Sequence, residues 1–157
     1  MAKKKFSPTL HEKYDQVAKD RLVEIMMRWE KYRAHKVDPY GQYDVDIMFL
    51  TTDGKILLID VEVRPGWKTG EFPFPSIHLP YRKKKFAELA SPTKDVYFCA
   101  FRADLNAMVM FQVDEDTDTC IMSNRLVQNE KFFDVPIEKT TCFTNLPHSQ
   151  GLQSRLN

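Results

Sequence analysis

The chain has 157 residues, 43% hydrophobic and 29% charged, which describes one globular domain and excludes a disordered chain. Its longest apolar run, Val96 to Phe101, is far short of the roughly 20 residues a membrane-spanning helix needs, and no apolar segment follows Lys3-Lys4-Lys5, so neither a membrane span nor a secretory leader is expected. The net charge of +1 hides a segregation: residues 37–63 carry six acids and one lysine, between two stretches, 1–36 and 64–94, in which bases outnumber acids. Basic flanks suit a polyanion and acids between them suit a divalent cation, although alternating solvated surfaces would give the same counts.

In chain order, residues 1–10 form a basic arm, and the spacing of Val17, Ala18, Leu22, Ile25, Met26, Trp29 and Tyr32 predicts one helix over 12–34. It should end before the turn cluster Asp38-Pro39-Tyr40-Gly41. Tyr43 to Leu50 and Lys55 to Arg64 read as two strands of a hairpin, joined at Asp53-Gly54, where a positive φ is needed. Residues 65–80, rich in Pro and Gly, read as a long loop, and Tyr81 to Ala90 as a short helix. Lys94 to Arg102 and Ala107 to Val113 complete the expected strands, leaving 114–157 as a poorly patterned C-terminal extension. The expected architecture is a single α/β domain, a mixed sheet of about four strands flanked by helices. Cys99, Cys120 and Cys142 are too widely spaced for a CxxC site, and the four histidines form no zinc spacing. Free thiols point to a reducing, cytoplasmic setting.

The acids gather at one end of the hairpin. Asp44 and Asp46 share one face of the first strand; Asp60, Glu62 and Arg64 share one face of the second. Counting back from Asp53-Gly54 places Asp46 opposite residues 60–62, so carboxylates converge where strands normally disfavour them. Such a cluster suits a hard cation such as Mg²⁺ or Mn²⁺, which can activate a water for phosphodiester hydrolysis. The plainer alternatives are a Glu62–Arg64 salt bridge, a surface role for Asp44, and a helix-surface ion pair for Glu24 with Arg21 and Arg28. Trp67, Phe72 and Phe74 either stack on bases or anchor the loop to the core.

The helix, the strand YDVDIMFL, the turn and the strand KILLIDVEVR together resemble the core of the PD-(D/E)xK nuclease superfamily, which includes restriction endonucleases, phage exonucleases and Holliday-junction resolvases. The resemblance covers residues 12–113 and implies an α-β-β-β-α-β core, of which the expected strands match only a part. It implies Asp46 as the motif Asp and Glu62 or Asp60 as its acidic partner, with Glu24 as the first-helix acid. The motif lysine is absent: Arg64 or Glu62 stands in its place, and Arg64 or Lys68 would take its role. The implied activity is Mg²⁺- or Mn²⁺-dependent cleavage of DNA, structure-selective or non-specific, as an endo- or exonuclease of phage or other mobile-element origin. Phosphates would be held by the Lys3–Lys5 arm and by Arg82, Lys83, Lys84 and Lys85, with Trp67 against the strand, and cutting both strands would take a homodimer. A catalytically silent nucleic-acid-binding module of the same fold and a small structural or assembly protein are the alternative readings.

Overall fold

Ala18, Leu22, Ile25 and Met26 recur at three- and four-residue steps, and in the computed structural model they form the buried stripe of helix α1 (Pro8–Met27). The structure describes residues 8–28, 32–37, 45–123 and 128–146. The Lys3–Lys5 arm, Asp44, Trp29 and the 38–41 turn lie outside them.

The helix expected over 12–34 is shorter than its periodicity predicts. It ends at Met27, and Tyr32–Val37 instead forms strand β1, paired antiparallel with β2 (Ile47–Thr51). A tertiary ladder has overridden a helical pattern that no Gly or Pro interrupted. Strand β3 (Ile56–Arg64) pairs antiparallel with β2 on one side. The intervening turn closes through Gly54, whose φ of 85° a side chain would strain, with Thr51 and Lys55 bonded across it. The expected loop over 65–80 is also partly a strand, β4 (Ser76–Pro80). A 3-10 turn over Tyr81–Lys83 then leads into the single-turn helix α2 (Lys84–Ala87). Strand β5 (Lys94–Arg102) returns parallel to β3, and β6 (Met108–Phe111) runs antiparallel to β5.

The C-terminal extension is more ordered than its patterning suggested. Strands β7 (Thr119–Met122) and β8 (Glu130–Pro136) join β4 in a three-stranded sheet of order β4-β8-β7. Strand β9 (Thr141–Phe143) completes a six-stranded sheet, β1-β2-β3-β5-β6-β9. The fold is therefore mixed α/β with two sheets.

Alternation along β3 divides the core. Leu57, Ile59 and Val61 join α1, whereas Leu58 faces Phe86 of α2 and Ile77, Leu79, Phe133 and Val135 of the small sheet. The large sheet is thus covered on both faces, by α1 on one side and by α2 with the small sheet on the other. Leu22 is fully buried between α1 and the sheet. Leu22→Ala is expected to cost about 2–5 kcal/mol, read as a lower urea midpoint with an unchanged slope.

Candidate metal centre

Asp46 immediately precedes β2, and the antiparallel register (Ile47 opposite Ile59) carries it to Asp60. Its Oδ2 accepts a hydrogen bond from the Val61 backbone N–H at 2.8 Å, so the backbone of β3 orients the carboxylate. Its Oδ1 lies 3.4 Å from the Lys19 ammonium, which reaches over from α1. Glu24, expected to join the acids from that helix, is paired instead with Arg21 at 3.5 Å and Arg28 at 3.6 Å. The Arg21 guanidinium is buried and donates from Nε to the Leu105 carbonyl, 3.1 Å away.

Asp60 sits on the central strand β3 and is only 7% exposed. Its Oδ2 accepts from the Lys83 Nζ at 2.6 Å. Burial raises the Asp60 pKa; the Lys83 charge opposes this, the charge of Asp46 adds to it, and the net result is about 7. Burial pulls the Lys83 pKa down, but the charges of Asp60, Glu62 and Asp46 outweigh it and hold the ammonium above its ordinary value. One half-buried cation therefore lies in the combined field of three carboxylates.

Glu62, two residues on along the same face, binds Arg64, its Oε1 accepting from Nε at 2.9 Å and from Nη2 at 2.7 Å. Arg64 Nη2 also donates to the His78 carbonyl at 2.6 Å, tying the large sheet to the small one. The salt bridge weighed against metal ligation for Glu62 is thus present, and it occupies one of the two Glu62 oxygens. Arg64 is engaged by Glu62 and His78, and Lys68 is exposed, so it is Lys83 that meets the acids.

The basic run divides by orientation. Lys83 turns inward, whereas Arg82 points out and pairs with Glu130 at 3.3 Å. Lys84 lies across the Tyr81 ring near Glu88, and Lys85 is exposed over the Phe86 ring. Arg82 and Lys83 precede buried Phe86 by four and three residues, both same-face helical steps, so the spacing narrows the inward base to these two without choosing between them. Trp67, expected against a nucleic-acid strand, is buried, donates its indole N–H to the Gly70 carbonyl at 3.0 Å and meets Phe72 edge-on. It anchors the loop; Phe74, 63% exposed, is the ring of that loop that faces solvent.

No protein-family model matches the chain, and no curated protein matches it. What the centre can do follows from its chemistry. Asp46, Asp60 and Glu62 offer only oxygen donors, the type a hard divalent cation takes, but their oxygens do not all lie within 4.8 Å of one another; among the described residues the three-donor group at that spacing is His78, Cys120 and Asp134. The charge of Asp46 opposes the ionisation of Asp60, a conflict that a second positive charge beside Lys83 would relieve.

Proposed function

We propose that this chain is a metal-dependent nuclease of the PD-(D/E)xK type, hydrolysing phosphodiester bonds of DNA with Mg²⁺ or Mn²⁺. The observation that carries this reading is that Lys83, bonded to buried Asp60, lies in the field of Asp60, Glu62 and Asp46 at one end of the β2-β3 pair. The chain order α1, β1, β2, β3, β4, α2, β5, with β5 parallel to β3, supports it in part. The resemblance implies α-β-β-β-α-β; β1 supplies a strand that the helical pattern concealed, β4 is an additional strand inserted before α2, and α2 is a single turn.

In this reading Asp46, Asp60 and Glu62 hold the ion. When bound, the ion supplies a water of lowered pKa and neutralises charge gathering at phosphorus. Lys83 takes the role of the missing motif lysine from a different element: its ammonium, kept charged by the three acids, holds a phosphate oxygen or the attacking water. The backbone N–H of Val61 fixes Asp46, and the central position of β3 between two ladders fixes Asp60. A cavity of about 330 Å³, lined by Glu62, Arg64, His78, Pro80 and Phe132, adjoins the centre and gives room for part of a nucleotide. In this reading the outward-facing Arg82, Lys84 and Lys85 would contact phosphates.

The test is cleavage of linear, nicked and branched DNA with Mg²⁺, Mn²⁺ or EDTA, using wild type, Asp46→Asn and Glu62→Gln. Wild type should cut only with metal. Both variants should lose cutting; Asp46→Asn should hold or raise the melting temperature in EDTA, since its repulsion of Asp60 is relieved, whereas Glu62→Gln should lower it, since the ion pair with Arg64 is lost. A wild type that cuts no DNA or RNA with either metal overturns the reading. Binding should also weaken with salt. Lys84→Ala with Lys85→Ala should make the slope of log K against log salt shallower by up to about two units. An unchanged slope would show that these lysines are only a solvated face.

A further inference from the structure

A second donor cluster lies on the outer face of the small sheet. His78 of β4 stands directly opposite Asp134 of β8, and Cys120 of β7 stands opposite Phe132, two residues from Asp134 on the same face. Three neighbouring strands thus present an imidazole, a carboxylate and a thiol to one spot, and their ligand atoms all lie within 4.8 Å of one another. The His78 Nε2 is 3.0 Å from Asp134 Oδ1 and 3.4 Å from the Ser76 hydroxyl. The three residues come from positions 78, 120 and 134, a separation that no zinc-finger spacing in the sequence could reveal.

We propose that His78, Cys120 and Asp134 form a binding site for a Zn²⁺-type transition-metal ion, separate from the acidic centre. Bond lengths of about 2.0–2.3 Å to N, O and S in a tetrahedron put ligand atoms roughly 3.3–3.7 Å apart. The three donors already stand within about 1.5 Å of that spacing, a gap of the size that side-chain rotation closes. The donor set selects the metal. A thiolate and an imidazole favour Zn²⁺ over Mg²⁺ or Ca²⁺, whereas the all-oxygen set of Asp46, Asp60 and Glu62 favours the reverse. All three side chains are half-buried or more open, so an ion can enter, and the fourth position is left for water. Binding deprotonates Cys120: the S–H proton leaves to solvent as the metal–sulfur bond forms. The ion would pin the edge strands β4 and β7 to β8. Because Arg64 donates to the His78 carbonyl, the pinned strand is the one that also holds the Glu62–Arg64 pair.

The experiment titrates Co²⁺, as a spectroscopic stand-in for Zn²⁺, into the full chain with excess Mg²⁺ present to fill hard-cation sites. One equivalent should give visible bands of a tetrahedral ion with a thiolate-to-cobalt charge-transfer band, and Zn²⁺ should bleach both. Cys120→Ala should abolish the charge-transfer band, and His78→Ala or Asp134→Asn should weaken binding by at least about 100-fold. Cys142→Ser should change nothing. Zn²⁺ should raise the melting temperature of wild type but not of Cys120→Ala. Absence of a charge-transfer band in wild type, or its persistence in Cys120→Ala, overturns the site. Neither result bears on Mg²⁺-dependent cleavage, which is read separately.

Discussion

A Lys83→Met variant is expected to lose at least about 100-fold in the rate of DNA cleavage while keeping its affinity for DNA. The loss is the scale seen when one pre-aimed charged donor is removed from a water-excluded site. Affinity holds because Lys83 points inward to Asp60, while Arg82, Lys84 and Lys85 supply the outward charge. Met keeps the length and the burial of the stem. Removing the ammonium leaves Asp60 without its partner in a site where an uncompensated charge costs about 3–5 kcal/mol. Asp60 escapes most of that cost by taking a proton, so the variant should be destabilised more at pH 8 than at pH 5. Adding Asp60→Asn to Lys83→Met should restore stability without restoring cleavage. The measurement pairs urea melts in EDTA at the two pH values with a single-turnover cleavage assay. A folded Lys83→Met protein that cuts at the wild-type rate would return the lysine's role to Arg64 or Lys68.

Without divalent metal, the protein is expected to lose roughly 2 kcal/mol of stability between pH 5 and pH 7. The folded Asp60 has a pKa near 7 against 3.8 for an ordinary Asp, raised by burial and by Asp46. In that window the folded state still holds a proton that the unfolded chain has released, so rising pH favours unfolding. Lys83 acts elsewhere on the scale. Its folded pKa is raised above 10.5, so its contribution is complete below that value and is lost only as pH climbs through the folded pKa. Asp60→Asn should flatten the dependence, and saturating Mg²⁺ should reverse it, because the ion binds the deprotonated folded state. Urea midpoints in EDTA at several pH values decide the matter. A stability that rises with pH across this window in wild type, or a slope that survives in Asp60→Asn, would show that Asp60 is not the group responsible.

Much of the centre could be read from the sequence because a hairpin is a local device. Asp53-Gly54 fixed the turn, the apolar run Ile56 to Ile59 fixed the strand, and counting outward brought Asp46 to the residues around Val61, whose N–H it accepts. The parts that failed are those where packing overrides pattern. Trp29 and Tyr32 continue the helical step of α1, yet Tyr32 begins β1, because pairing with β2 outweighs local periodicity. In β4 the alternation of buried Ile77 and Leu79 is a strand signal, masked by prolines at both sides. Lys83 was concealed by its neighbours. In a run of four bases, spacing to Phe86 suits both Arg82 and Lys83, so the pattern does not say which one turns inward. His78, Cys120 and Asp134 meet through strand pairing alone, which no linear spacing encodes.

The parallel alignment of β3 with β5 has a consequence for assembly order. Ile56 pairs with Lys94 across a crossover that contains β4 and α2, so this ladder closes a long loop, whereas β2 and β3 meet through a short turn. Short loops close first, in microseconds for a hairpin, and non-local parallel pairing follows more slowly. The acids are therefore brought together before the crossover can deliver Lys83 to them. In that interval Glu62 already has Arg64 beside it on β3, but Asp46 and Asp60 meet with no lysine between them, and the pair is at its most repulsive. If the proposed divalent ion binds these carboxylates, its presence during refolding would relieve that repulsion and favour the register of β2 on β3 before Lys83 arrives.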